Sequence, residues 1–192
     1  MMTFSFTKFP MIETERLILR KATEQDSDDI LELYANENVV QHMPLDPFTS
    51  IEDAKGEISW YEKIFLEQTG LRWVIEEKVN KKVIGTCGYL NYEVEHNRIE
   101  IGYDLSPESW GKGIMTETLQ AVIHFAFSEL NANKIEAQIT SENDASLHLV
   151  SKLGFHRDGV LREHEFEKGR YIDLVIYSLL KSEYKRKPST LI

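Results

Sequence analysis

The chain is poor in cysteine and lacks any long apolar run. Cys87 is the one cysteine among 192 residues. This excludes an intrachain disulfide and a structural zinc site built on several thiolates. No stretch approaches the roughly 18 consecutive apolar residues of a membrane helix, and residues 1–10 lack the basic-then-apolar order of a signal peptide. We therefore expect a cytoplasmic protein that makes no contact with a membrane.

Positive charge is scarce as well. The chain has 22 Lys and Arg against 32 Asp and Glu, a formal net charge of -10. Its basic cluster, Lys181 to Lys187, is terminal, so we expect no direct binding to nucleic acid. A cationic substrate or partner is electrostatically favoured. The length and the 42% apolar content suit one buried core, and we expect a single domain over residues 1–192.

The first half of the chain predicts two helices and then strands. Apolar residues recur at three- and four-residue steps after capping sequences at Thr23 and Ser50, which is typical of helix starts. Alternating residues over 71–86 predict a hairpin with its turn at 79–82. Ile99 to Leu105 also alternate and predict a third strand, with apolar side chains on one face and Glu100, Gly102 and Asp104 on the other.

The second half predicts a β-α-β unit and a closing hairpin. A long helix from about Met115 to Leu130 is followed by a strand at 135–139. A shorter helix over about 145–153 ends at Gly154, a residue that favours the left-handed conformation at a helix end. Two final runs flank residues 167–170 as a hairpin.

The turn Trp110 to Glu117 lies between a predicted strand and the long helix. Its backbone N–H groups can converge on an anion at the helix N-terminus, and Gly111 and Gly113 let the chain approach that anion closely. A dinucleotide fingerprint needs a third glycine where Thr116 stands, and a P-loop needs Ser or Thr where Gly113 stands. The turn therefore disfavours NAD and ATP.

This turn resembles the pyrophosphate-binding motif Gln/Arg-x-x-Gly-x-Gly/Ala of the GNAT acetyltransferases, although Glu108 departs from its first position. The resemblance covers about residues 12–182. Within the GNAT acetyltransferases, the chain is similar to the ribosomal-protein N-acetyltransferase branch. The resemblance implies an α/β (α+β) GNAT fold, with a mixed sheet of about six to seven strands, about four helices and a splayed strand pair. The supporting segments are Thr14–Arg20, Ile99–Tyr103, Asn143–Ser146, Lys152–Phe155 and Gly169–Leu180.

The resemblance implies acetyl-CoA as cosubstrate and no metal. The main chain of Tyr103, Asp104 and Leu105 would bind the pantetheine amides where the strands splay. Asn143 would also reach the pantetheine, although it suits a helix cap equally well. Lys112 and Lys152 can meet phosphates or stay solvated. The turn residues expected around the pyrophosphate are Trp110, Gly111, Lys112, Gly113, Ile114, Met115 and Thr116.

Two residues are candidates for the chemistry. Glu100 would deprotonate the amine, with Gly102 leaving room for substrate; the alternative is a solvated strand carboxylate. The family's helical tyrosine acid is replaced by Val150, so Ser146 becomes the donor to the CoA sulfur, unless it is a neutral helix residue. Cys87 fits strand packing better than nucleophilic catalysis.

The expected acceptor is a primary amine. By resemblance, we expect the N-terminal α-amine of a protein, such as a ribosomal protein. A polyamine, an amino acid or an aminoglycoside remains an alternative, as do a silent acyl-CoA-binding module and a dinucleotide binder. The closing hairpin and the tail Lys185 to Ile192 can support a homodimer.

Overall fold

The structure is a computed structural model that describes residues 8–184. In that part of the chain, eight strands form one mixed sheet in the order β1-β2-β3-β4-β5-β6-β8-β7. Its strands are β1 (Ile12–Glu13), β2 (Leu17–Arg20), β3 (Leu71–Glu77), β4 (Val83–Glu93), β5 (Arg98–Leu105), β6 (Lys134–Thr140), β7 (His156–Glu167) and β8 (Arg170–Leu180). The helices are α1 (Ser27–Tyr34), α2 (Glu37–Val40), α3 (Ile51–Leu66), α4 (Ile114–Ser128) and α5 (Asp144–Lys152).

The predicted order of elements is confirmed, with some additions. Over residues 8–184 the structure has one or two more strands than predicted, because the short β1 and β2 pair at the sheet edge. It also has a fifth helix, the single turn α2, whose four residues give too short a periodic pattern for recognition. Gly154 has a φ of 93° directly after α5, as a helix-terminating glycine should.

The sheet separates two apolar clusters. On one face, Trp73, Ile75 and Ile101 pack with the buried side of α4. On the other face, Val74 packs with residues of α1 and α3. Because neighbouring strand residues point to opposite faces, Trp73 and Val74 serve different clusters. The helices α1 to α3 therefore cover the face that carries Glu100, Gly102 and Asp104.

The strands β5 and β6 pair in parallel over a short length only. Their ladder joins Arg98–Glu100 to Lys134–Glu136, three residue pairs in all. β4 pairs with β5 as far as Leu105, and β8 pairs with β6 as far as Thr140. The backbone edges of residues 101–105 and 137–140 that face each other are thus not joined by a ladder, and this is where we look for a site.

Some sequence-based expectations lie outside the described residues. They are the tail Lys185 to Ile192 and most of the basic cluster ending at Lys187, together with residues 1–7. Among residues 8–184, none of the helices has the length and hydrophobicity needed to cross a membrane.

Candidate active site

The turn before α4 has the backbone conformation of an anion cradle. Gly111 and Gly113 have φ angles of 71° and 75°, in the left-handed region that L side chains rarely adopt. A Cβ added at Gly111 would meet nothing within 4 Å, and one at Gly113 would meet only Arg16 Nη2 at 3.7 Å. The space above both glycines is open, so a diphosphate can approach the N–H groups at the start of α4.

Arg16, to which the sequence analysis gave no role, reaches this turn from the sheet edge. Its Nη1 donates to the Lys112 carbonyl at 3.0 Å, and its Nε donates to Glu117 Oε2 at 2.7 Å. Glu117 Oε1 accepts the Arg16 N–H at 3.0 Å and the Thr14 hydroxyl at 2.6 Å. Partial burial opposes ionisation, but the hydrogen bonds from Thr14 and Arg16 hold the pKa of Glu117 below its usual value.

Trp110 lies against the C-terminal end of β5. Its indole Nε1 donates to the Leu105 carbonyl at 2.8 Å, and about half of the residue is exposed. The predicted pantetheine contact of the Leu105 main chain stays a prediction: its carbonyl accepts from Trp110, and this bond does not engage the Leu105 N–H. Lys112 and Lys152 are exposed and no contact assigns them to phosphate.

Glu100 borders a cavity of about 340 Å³ at the end of β5 where β6 still pairs. Its Oε2 accepts from Asn91 Nδ2 at 2.7 Å and from Gln138 Nε2 at 3.3 Å. Burial raises the pKa of Glu100 above its usual value, the Asn91 hydrogen bond opposes this, and Glu165 and Glu136 raise it further. Glu100 is thus a part-buried carboxylate held by neutral amides.

The other carboxylates of this cavity have cationic partners. Glu93 lies 2.6 Å from Arg98, and Glu136 lies 2.7 Å from Lys134. Within residues 8–184, Glu100 forms no ion pair. Glu100 is therefore the carboxylate in this cavity that remains available to an incoming cation.

The prediction that Gly102 leaves room for substrate is wrong. A Cβ added at Gly102 would stand 2.9 Å from Arg72 Nη1 and 3.3 Å from the Leu90 side chain. The missing side chain therefore makes room for Arg72, a residue of this chain. The open space lies further along β5, in the cavity beside Glu100.

Asp104 belongs to a buried polar network beneath α1 and α3. Its carboxylate accepts from Arg72 Nη2 at 2.5 Å, from the Thr86 hydroxyl at 2.8 Å and from Tyr34 Oη at 3.0 Å. Thr86 N–H donates to the second oxygen at 3.1 Å, and Tyr34 Oη bonds Tyr61 Oη at 2.8 Å. All five residues are buried. The Asp104 side chain therefore anchors β5, while its main chain is the part predicted to contact pantetheine.

On the opposite face of β5, Tyr103 meets α5. Tyr103 Oη and Ser146 Oγ are 2.5 Å apart. Asn143 caps α5, because its Oδ1 accepts from the Ser146 N–H at 3.0 Å. Burial raises the pKa of Tyr103 to about 12, although the Ser146 hydrogen bond opposes this shift. Val150, at the position of the family's helical tyrosine, is fully buried. The phenol that is hydrogen-bonded to Ser146 within residues 8–184 is that of Tyr103, on strand β5.

Cys87 is part of the core. It is fully buried between β3 and β5, and burial raises its pKa to about 12. A buried thiol with a raised pKa is a poor nucleophile, which fits a packing role for Cys87. Among residues 8–184, no three His, Cys, Asp or Glu side chains are grouped to hold a metal ion.

Comparison with known proteins places this geometry in one family. The model of the acetyltransferase (GNAT) domain matches residues 16–156, which include the glycine turn, Glu100 and Ser146. The chain is a GNAT acetyltransferase. It is 41% identical to the uncharacterized N-acetyltransferase p20 of Bacillus licheniformis over 171 residues, 89% of this chain and 96% of that protein.

Two solved GNAT structures show the same fold. The spermidine N-acetyltransferase of Vibrio cholerae, in complex with CoA and spermine, has a TM-score of 0.77 and 27% identity, and the match covers 89% of this chain and 99% of that one. The ribosomal-protein-S5-alanine acetyltransferase of Vibrio fischeri has a TM-score of 0.77 and 23% identity over 92% of this chain and 99% of that one. This GNAT protein is an acetyl-CoA-dependent N-acetyltransferase.

The structure brings the predicted residues together in two groups. The first is the glycine turn at the start of α4, and the second is Ser146 with Asn143, which lie across from Tyr103. The side chains of Arg16, Glu117 and Tyr103 were missed. The segment Thr14–Arg20 was recognised as a family feature, but nothing local predicts a bond from Arg16 to a residue 101 positions away.

Proposed function

We propose that this acetyltransferase acetylates a primary amine that Glu100 binds as an ammonium ion and then deprotonates. The observation that carries the proposal is the part-buried carboxylate of Glu100, which borders the cavity and has amide partners only. The raised pKa of the Glu100 carboxyl group lies closer to the pKa of an amine. Proton transfer from the ammonium ion to Glu100 therefore becomes less unfavourable. The alternative role, a solvated strand carboxylate, fits poorly with this burial.

The cofactor fits the open turn and the unpaired edge of β5. We propose that the N–H groups from Gly111 to Thr116 hold the diphosphate, and that the main chain of Tyr103, Asp104 and Leu105 holds the pantetheine where β5 and β6 splay. Asn143 supports this path, because within residues 8–184 its Nδ2 donates to no group. Acetyl-CoA supplies the thioester that the amine attacks, and CoA leaves as a thiolate.

The two faces of β5 then divide the proton transfers. Glu100 accepts the amine proton on the face covered by α1 to α3. A backbone N–H of β5 stabilises the developing oxyanion. On the opposite face, Ser146 donates a hydrogen bond or a proton to the sulfur, and the Tyr103 phenol orients the Ser146 hydroxyl. General base catalysis of this kind contributes about 10²–10⁴-fold.

The first acceptor to test is the N-terminal α-amine of a protein. An α-amine titrates at about 8 and a lysine-type amine at about 10.4, so a carboxylate deprotonates the α-amine with less free-energy cost. The segments similar to the ribosomal-protein branch, including Asn143–Ser146, support the same choice.

A polyamine is the second candidate, and the cavity favours it. At about 340 Å³ the space is compact, and Glu93, Glu100 and Glu136 line it against the single cation Arg98. A small polycation suits such a volume and charge. The relative from Vibrio cholerae is a spermidine acetyltransferase, which makes spermidine and spermine natural members of the panel.

The experiment is an acceptor screen with acetyl-CoA and detection of the free thiol. Peptides that carry ribosomal-protein N-termini are compared with the same peptides acetylated at the N-terminus, and with spermidine, amino acids and aminoglycosides. We expect turnover of the free peptide termini and none of the blocked ones. Turnover of small amines alone overturns the α-amine proposal. Absence of turnover with every amine, despite CoA binding, favours a silent binding module.

A further inference from the structure

We propose that the Arg16 guanidinium is a direct ligand of the CoA diphosphate, and that Glu117 is the positioning residue that holds Arg16 on the glycine turn. This inference rests on the proposed placement of the diphosphate at Gly111 to Thr116. It adds a cation from the sheet edge to the one that the turn itself carries, Lys112.

The hydrogen bonds of Arg16 leave the two N–H donors of its Nη2 beside the open turn. Its Nε and Nη1 are engaged by Glu117 and the Lys112 carbonyl. Its Nη2 donates to no group within residues 8–184, and it is the atom nearest to the open position above Gly113, 3.7 Å from an added Cβ. A planar guanidinium fixed through two of its nitrogens presents the third in a defined direction. Arg16 thus offers a charge-assisted donor where the diphosphate is proposed to lie.

The position of Glu108 explains why such a cation is needed. The family motif carries Gln or Arg where this chain has Glu108, so an acid replaces a hydrogen-bond donor. Glu108 instead lines a small cavity with Lys82, Asp29 and Glu32, on the side of α1. A carboxylate in that position cannot donate a hydrogen bond to a diphosphate, whereas the Arg16 guanidinium can.

The carboxylate of Glu117 is anchored more firmly than a typical surface partner. It accepts the Thr14 hydroxyl, the Arg16 N–H and the Arg16 Nε at once. The β1–β2 turn and the first turn of α4 are therefore joined through one side chain. Glu117 also lies in the first turn of α4, where a negative charge is favourable. Glu117 fixes Arg16 without occupying its Nη2.

The test is calorimetric binding of CoA and of 3′-dephospho-CoA to the full chain, which does not depend on the amine acceptor. We expect Arg16→Ala to weaken the binding of both by about 10- to 100-fold, the range for one hydrogen bond to a charged group. Arg16→Lys keeps the charge and loses the fork, so an intermediate loss is expected. Glu117→Gln, which removes the anchor, should cause a smaller loss than Arg16→Ala.

The matched control is Lys21→Ala, which removes one positive charge from another exposed ion pair, with Glu62. It should bind CoA as the parent protein does. Steady-state kinetics with S-acetylpantetheine, which has no diphosphate, should give the same KM for the parent protein and Arg16→Ala. An equal rise in KM for both acetyl donors would show a merely structural role and overturn the proposal.

Two other outcomes also decide the matter. Unchanged CoA binding by Arg16→Ala contradicts the proposed contact. A loss for CoA but not for 3′-dephospho-CoA assigns Arg16 to the 3′-phosphate and contradicts the diphosphate contact. Failure of the parent protein to bind CoA at all would instead contradict the placement of the cofactor at the glycine turn.

Discussion

Glu100 and Asp104 stand on the same face of β5, four positions apart, and the structure gives them opposite surroundings. Asp104 is buried and accepts hydrogen bonds from Arg72, Thr86 and Tyr34. Glu100 is part-buried, borders the cavity and accepts from two side-chain amides. The carboxylate with a buried cationic partner anchors the strand, and the one without such a partner is available for chemistry. The residue type alone does not separate these roles.

The difference has a physical origin in what lies across the sheet. Asp104 pairs with Thr86 on β4, and Arg72 on β3 crosses the small Gly102 to reach it. Glu100 lies opposite Leu90, where the β4–β5 register shifts and Asn91 has a φ of 47°. This irregularity opens the cavity beside Glu100. A regular ladder satisfies one carboxylate, and its disruption leaves the other accessible.

The largest expected effect comes from removing the buried carboxylate of Asp104. Asp104→Asn leaves the buried Arg72 charge unpaired, and we expect a loss of about 3–5 kcal/mol in the free energy of unfolding. For a chain of this size that lowers Tm by roughly 6–20 °C. Chemical and thermal unfolding measure it.

The control for this variant is Glu62→Gln, which removes an exposed ion pair with Lys21. Exposed pairs contribute little to stability, so its Tm should match that of the parent protein. If Asp104→Asn also unfolds like the parent, the buried pair does not anchor β5.

Glu100→Gln should lower the rate of acetyl transfer with little effect on the fold. We expect kcat near neutral pH to fall by about 100-fold, within the range for a general base, while the KM for acetyl-CoA stays within about threefold. Because the folded-state pKa of Glu100 is raised, its ionised form costs stability above that pKa. The variant should therefore unfold at the same Tm or a higher one.

The Glu100→Gln and Asp104→Asn results belong together. A variant at 100 that loses stability but not activity would reverse the assignment of the two carboxylates. Glu95→Gln is the control for the rate, because Glu95 is exposed and lies outside the lining of the cavity.

A smaller effect is expected on the opposite face of β5. Ser146→Ala removes the proposed donor to the thiolate, and we expect kcat to fall by about tenfold, since one hydrogen bond contributes about 0.5–1.5 kcal/mol. Tyr103→Phe should lower kcat by less, because it only leaves the Ser146 hydroxyl less well oriented. Ser151→Ala, an exposed serine of the same helix, is the control. A greater loss from Tyr103→Phe than from Ser146→Ala would make Tyr103 the donor.

The sequence predicted the parts of this site that depend on local backbone. Gly111 and Gly113 are recognisable because glycine adopts a positive φ without steric cost, and alternation placed Glu100 and Asp104 on one face of a strand. The position of Gly102 was recognised, but its purpose was predicted wrongly. Long side chains that cross between distant strands leave no periodic signal, so neither Arg72 over Gly102 nor Arg16 on the turn was predicted.

The central claim is that Glu100 takes the proton from the amine, and the pH dependence of kcat/KM tests it most directly. For the parent protein, kcat/KM should be nearly constant between the raised pKa of Glu100 and the pKa of the amine. It should fall as the pH drops through the pKa of Glu100. Glu100→Gln should lack that acidic limb, and its rate should rise with pH until the amine is deprotonated. The two profiles then converge at high pH. Parallel profiles over the whole range would contradict the account.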